Sequence, residues 1–169
     1  MEALQERQMD LSGYYPGAIG KVTELHAVYY HENWGFDLSF EAQVGRELSE
    51  FLTGMNSERD GFWTASVNGR FAGAVAVDGS GFGAEGARLR WYIVDPEFQG
   101  TGVGKALIAE AIRFCREREF NKVFLWTFEG LDTARHLYER EGFRLVEENR
   151  VTQWGTTLTE QKFEMRREE

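Results

Sequence analysis

The sequence predicts one α/β (α+β) domain, residues 1–169, with a mixed, mostly antiparallel sheet of six to seven strands and helices on both faces. Three observations carry this reading. The hydrophobic period changes from helical to strand-like near residue 60. Asn68-Gly69-Arg70 stands between two strand-like runs, a hairpin signal because both central positions favour φ > 0. One strand then feeds a glycine-rich turn, a helix and a further apolar strand, the pattern of a crossover between parallel strands.

Taken in order, residues 1–17 are weakly patterned and read either as a frayed end or as a weak first strand. Ile19, Val22, Leu25 and Tyr29 recur at helical spacing, which predicts a helix over 19–30. A second helix starts near Ser39, read as its N-cap, with Phe40, Val44, Leu48, Phe51 and Leu52 on one face, and Gly54 ends it. The hairpin strands are FWTASV and FAGAVAV, and a loop, DGSGFGAEG, follows them. In RLRWYIVD, simple alternation puts Leu89, Trp91 and Ile93 on one face and Arg88, Arg90 and Tyr92 on the other. Asp95-Pro96 breaks that strand. Val103, Leu107, Ala111, Ile112 and Cys115 mark a helix to about residue 119. KVFLWTF is a continuous apolar run, as a central strand buried on both faces requires. A short helix over 131–141 turns Leu131, Ala134, Leu137 and Tyr138 inward, and Gly142 closes it. FRLVEENRVTQW and TLTEQKFEM supply the last two strands of an antiparallel meander.

Composition narrows the function classes. No apolar run approaches the ~18 residues that span a bilayer, and MEALQERQMDL lacks the apolar core of a signal peptide. Cys115 is the single cysteine, which excludes an intrachain disulfide and a cysteine-rich metal site. The expectation is a cytoplasmic protein with no membrane partner and no metal. A formal charge of −9 argues against nucleic acid, whose binding needs clustered Lys and Arg. It favours cationic partners such as amines, or serves solubility alone.

The stretch VDPEFQGTGVGKAL carries the chemistry. Gly100, Gly102 and Gly104 stand between a strand and a helix start. Such a start offers free N–H groups and the positive dipole end, and glycines let the backbone approach an anion. The P-loop pattern fails, because Gln99 replaces the first Gly and Ala106 the Ser or Thr that would hold Mg²⁺. The dinucleotide pattern fails too, because Lys105 stands where the third Gly belongs. Gln99-x-x-Gly102-x-Gly104 instead matches the Q/R-x-x-G-x-G/A signature of the GCN5-related N-acetyltransferases (GNAT). LDTARHLYEREGF resembles the second motif of that family, ending in Tyr-x-x-x-Gly-Phe, and the order of elements from about residue 18 onward is similar as well. ENWGFDLSFEAQV, FLWTFEGLDTARHLYEREGFRLVEE and QWGTTLTEQKFE look like the acetyltransferase half of MarR–GNAT fusion proteins, without the winged-helix half.

The resemblance implies acetyl-CoA as co-substrate and direct transfer of its acetyl group to a primary amine, on a small molecule or a protein. It implies that the amides of Gly100, Thr101, Gly102, Val103, Gly104 and Lys105 cradle the diphosphate, with Gln99 opening the motif. Tyr92, Ile93 and Val94 would pair with the pantetheine arm as a strand does, which requires a sheet splayed between Val94 and VFLWTF. A bulge near the end of that strand would aim an amide at the thioester carbonyl. Ala134 would lie against the cofactor, and Tyr138 matches the general acid for the leaving thiolate; the other reading of Tyr138 is core packing. The sequence departs from the family at Leu131, where Asn is usual, and at Trp126, where some members carry a basic glutamate. Glu129, Glu32, His31 or a water chain remain candidates for the base. The competing function is a non-catalytic acyl-CoA sensor or regulatory module, and a nucleotide binder is a third. Edge strands in such folds often pair, so a homodimer is also open. His26, His136 and Cys115 read as structural or solvated groups. Trp34, Phe36 and Trp154 either shape the acceptor pocket or pack the core and edges.

Overall fold

The computed structural model describes residues 8–81 and 83–167, so expectations for residues 1–7, Phe82 and residues 168–169 lie outside it. In chain order the elements are β1 (Met9–Ser12), α1 (Ala18–Trp34), α2 (Leu38–Thr53), β2 (Gly61–Val67), β3 (Arg70–Asp78), β4 (Ala87–Val94), α3 (Val103–Glu117), β5 (Lys122–Phe128), α4 (Asp132–Arg140), β6 (Arg144–Gln153) and β7 (Thr156–Arg166). Short 3-10 turns at Gly83–Glu85 and Pro96–Phe98 lead into and out of β4.

The seven strands form one sheet in the order β1-β2-β3-β4-β5-β7-β6. Every pairing is antiparallel except β4 with β5. Residues 9–12 are therefore an edge strand rather than a frayed end. The β2–β3 turn has Asn68 at φ 51 and Gly69 at φ 79, the two positive values its dipeptide predicts. The last strands are not the simple meander expected: β7 inserts between β5 and β6. Burial gives the reason. Leu158 and Phe163 of β7 are buried, whereas β6, rich in Glu, Asn and Arg, is exposed along nearly its whole length and suits the edge.

Two helix boundaries also differ from the periodic reading. α1 continues to Trp34 because its stop is Gly35, whose φ of 74 lets its N–H bond the His31 carbonyl. The N-cap of α2 is Asp37, not Ser39; the Asp37 carboxylate accepts the Ser39 N–H at 3.0 Å.

α1 and α2 cover one face of the sheet, packing Val22 and Leu48 against Phe62, Ala74 and Ala76. α3 covers the other, packing Leu107, Ile108 and Ala111 against Val75, Val77 and Leu89. β4 does not alternate as expected. Between Ala74↔Ile93 and Ala76↔Arg90, one residue of β3 faces two of β4, Trp91 and Tyr92. This bulge reverses the parity of the strand. Leu89, Tyr92 and Val94 join the α3 side, while Trp91 and Ile93 join the aromatic side under α1 and α2. Trp91 adopts φ 48, rare for a bulky side chain and a mark of local strain.

Candidate active site

β4 and β5 pair only at Ala87↔Val123 and Arg88↔Phe124. Beyond Arg88 the two strands part, although β4 runs on to Val94 and β5 to Phe128. The gap opens a cleft of about 830 Å³ that passes between the two faces of the sheet. A V-shaped opening leaves the inner N–H and C=O groups of both strands without a ladder partner, and such groups demand one.

One side of the cleft is built from backbone. Asp95 shapes the turn by accepting the Glu97 N–H at 2.9 Å, and the Thr101 hydroxyl donates to the Phe98 carbonyl. Gly100 and Gly102 then take φ 76 and 92, and a Cβ on either would meet nothing within 4 Å. Gly102 is the N-cap of α3 and brings no side-chain acceptor to its first turn. Positive-φ glycines, open space and uncapped N–H groups at a helix start form an anion cradle. Gly104 is there for another reason: its φ is ordinary, but a Cβ would lie 2.3 Å from the Tyr92 hydroxyl. It lets Tyr92 pack against the first turn of α3.

Gln99, Gly100, Gly102, Gly104 and Lys105 line the cleft together with Tyr92, Ile93, Val94, Ala134 and Tyr138. Thr101 and Val103 do not: Thr101 turns its hydroxyl back to Phe98, and Val103 is buried in the core. Tyr138 projects from α4 with its ring 5.8 Å from that of Tyr92 and 6.0 Å from that of Phe143. Burial, reinforced by Tyr92 and Tyr30, raises its pKa well above the ordinary phenol value, so it stays protonated. Leu131 is the N-cap of α4 and supplies no side-chain hydrogen bond; Asp132 beside it is exposed at the cleft wall.

The opposite side is built from side chains. Tyr30 stacks on Phe36 at 5.6 Å and meets Phe40 and Phe128 edge-on at 5.3 and 5.4 Å. Phe36 is buried behind the cleft and Trp34 packs near Gly130, so both support the wall without lining it. Trp154 does line it, and its Nε1–H donates to Gln43 Oε1 at 2.9 Å. Trp126 lines the cleft where a basic glutamate would stand, backed by Lys162, whose Nζ bonds Glu85 at 2.8 Å.

Glu129, Glu32 and His31 do not line the cleft; His31 donates its Nδ1–H to the Phe36 carbonyl at 2.9 Å. His26 does line it, a role its helical, tyrosine-rich context did not signal. Its Nδ1–H donates to the Val22 carbonyl at 2.8 Å, which leaves Nε2 as a bare acceptor. Burial lowers its pKa to about 4, so the ring is neutral at physiological pH. Cys115 sits in the core, its thiol pushed up to about 12 by burial, and is chemically inert.

Residues 19–143 match the profile of the acetyltransferase (GNAT) family. The chain is 32% identical over 120 residues to an uncharacterized N-acetyltransferase of Methanocaldococcus jannaschii, covering 69% of this chain and 53% of that protein. It is 35% identical over 109 residues to a mycothiol acetyltransferase of Acidothermus cellulolyticus, covering 64% of this chain and 31% of that protein. The chain thus spans about half and about a third of their lengths. A Salmonella typhimurium protein solved with its cofactor acetyl-CoA superimposes with a TM-score of 0.69 at 14% identity, covering 94% of this chain and 93% of that one.

Proposed function

The chain belongs to the acetyltransferase (GNAT) family, and from that premise we propose that it moves an acetyl group from acetyl-CoA directly to a primary amine. One observation carries this: two central strands part after a two-residue pairing, and an open, uncapped glycine turn stands at the mouth of the gap. The residues present suit the cofactor in kind. Amides from Gly100 to Lys105 hold the diphosphate, each charged hydrogen bond contributing about 1.5–3 kcal/mol. The exposed edge of Tyr92, Ile93 and Val94 pairs with the amide-rich arm, and Ala134 leaves room beside it. When bound, acetyl-CoA supplies the activated acetyl thioester.

The chain's residues then divide the work. A backbone amide released from the ladder by the Trp91–Tyr92 bulge would stabilise charge developing on the carbonyl oxygen. Tyr138, held protonated by burial, gives its proton to the departing sulfur. The aromatic wall of Tyr30, Phe40, Phe128 and Trp154 places the amine and excludes bulk water, so that proximity supplies much of the acceleration. Amine deprotonation runs through a chain of water in the cleft, because His26, its pKa lowered to about 4 by burial, is too weak a base to hold the proton.

The resemblance to the acetyltransferase half of MarR–GNAT fusions, a cytoplasmic setting, a single domain over 1–169 and a homodimer through the exposed β6 edge belong to this same reading. The charge of −9 supports an amine rather than nucleic acid as partner. Among the described residues no helix is long and apolar enough to cross a membrane. A second reading, a non-catalytic acyl-CoA sensor, is favoured by Leu131 alone, which gives the α4 start no polar contact. Thiol release from acetyl-CoA, followed across a panel of amines, separates the two. Turnover with any amine supports the enzyme; tight CoA binding without turnover, indifferent to Tyr138→Phe, supports the sensor.

A further inference from the structure

Among the described residues Arg88 has no hydrogen-bond or ion-pair partner, and it stands at the closed end of the cleft. It is the last residue of β4 paired with β5, opposite Phe124, and its half-buried side chain lines the cleft. Its Nε is buried and has no hydrogen-bond partner. The carboxylates around it are already engaged. Asp78, its cross-strand neighbour, accepts from Ser80 through Oδ1 and from Arg90 Nη1 through Oδ2 at 3.1 Å. Glu47 is held by Arg90 Nη2 at 3.0 Å, and Glu85 by Lys162 Nζ at 2.8 Å. Arg90, two residues on, is therefore neutralised twice and stacks over Trp91 at 4.1 Å, while Arg88 is left free. Burial and the nearby Arg90 disfavour its charge, the fields of Glu47, Asp78 and Glu85 offset them only in part, and a guanidinium does not deprotonate at physiological pH. A half-buried cation with an unsatisfied N–H is a costly arrangement unless something else completes it.

Resting on the acetyltransferase reading, we propose that Arg88 binds a carboxylate of the acceptor, so that the substrate is a small amino carboxylate with an apolar or aromatic side chain. A guanidinium fork matches a carboxylate in plane and with two hydrogen bonds. Arg88 shares its face with Arg90, which reaches α2, and so belongs to the side opposite α3 and the glycine turn. From Arg88 to the bulge at Trp91 is three strand residues, roughly 10 Å. The amine and carboxylate of the acceptor therefore stand no more than roughly 10 Å apart. Trp91, Trp126, Phe128 and Phe40 line the rest of this half, which suits an apolar side chain and not a polyamine. A polycation would also meet Arg88 as a like charge.

The test compares L-phenylalanine with phenethylamine, which differ only in the carboxylate, using wild type, Arg88→Gln and Arg88→Lys. Acetyl-CoA affinity is measured on each variant by calorimetry, and binding of N-acetyl-L-phenylalanine is measured on the CoA-saturated proteins. The expected result is a preference for the amino acid of about 10- to 100-fold in kcat/KM, the worth of a charged hydrogen bond. Arg88→Gln abolishes that preference by raising KM for phenylalanine, leaves phenethylamine and acetyl-CoA essentially unchanged, and Arg88→Lys restores part of it. A wild type indifferent to the carboxylate in both turnover and binding, or an Arg88→Gln protein that loses both acceptors equally, overturns the proposal. Loss of acetyl-CoA affinity in the wild type itself would instead overturn the acetyltransferase reading, a separate outcome.

Discussion

The two halves of the cleft are made of different material. The half toward α3 is backbone: a turn of positive-φ glycines, an uncapped helix start and the free edge of β4. The half under α1 and α2 is side chain, drawn from residues 26–47, 88–91, 126–128 and 153–160. Backbone sites are contiguous in sequence and depend on a few residues that permit a conformation, so they leave a short, legible pattern. Side-chain sites are assembled by topology from distant segments, and each contributor reads alone as a core or surface residue. On the proposed reading the first half holds the cofactor and the second the acceptor, so the second can change without disturbing the first.

That division can be broken by variants. The largest effect is expected at Gly102, whose φ of 92 no ordinary side chain adopts easily. Gly102→Val should weaken CoA about 100-fold or more by misdirecting the first amides of α3. If its Kd matched wild type, the cradle would lie elsewhere. Tyr138→Phe comes next, with kcat lowered about 100-fold and CoA affinity retained, as for a proton donor acting only on the leaving group. Because its pKa is raised, Tyr138 remains an acid through the alkaline range; kcat should show no loss up to about pH 10, the ordinary phenol value. Phe40→Ala, on the other side, should raise the acceptor KM about 10-fold through lost packing while leaving CoA binding untouched. Loss of CoA affinity there would mean that the halves are not independent.

The last effect is one of stability and leaves neutral-pH binding and turnover unchanged. His26 has a folded pKa near 4, below its ordinary value of 6.5. Above pH 6.5 both folded and unfolded states hold it neutral and it contributes nothing. As pH falls below 6.5 the unfolded state takes up the proton first, so stability drops, and the loss is complete near pH 4 at about 3 kcal/mol. Denaturant melts of wild type and His26→Gln between pH 7 and 4 should converge as this term disappears from the variant.

The same division accounts for what could be read in advance. The Asn68-Gly69 hairpin, the strand–turn–helix unit and the short final helix were legible, because turn residues and helical periods are local. Three features were not. Alternation misassigned the faces of β4 beyond Arg90: the family resemblance implies a bulge near the strand's end, as found, but nothing in WYIV places it at Trp91, which takes a positive φ. The insertion of β7 between β5 and β6 depends on comparing the burial of two strands, not on either alone. The sequence pattern groups Gly104 with its neighbours, although its need is set by Tyr92, twelve residues upstream. Arg88 and His26 carried no motif at all; only the placement of their neighbours shows one unpaired and the other turned toward the cleft.

On the proposed reading, main-chain amides at the start of α3 hold a diphosphate. The decisive experiment is calorimetric titration with coenzyme A and with pantetheine, which keeps the thiol arm but lacks the diphosphate and the adenosine 3′-phosphate beyond it. The account predicts measurable coenzyme A binding and pantetheine weaker by about 100-fold or more. Equal affinity for the two, or none for coenzyme A, would contradict it.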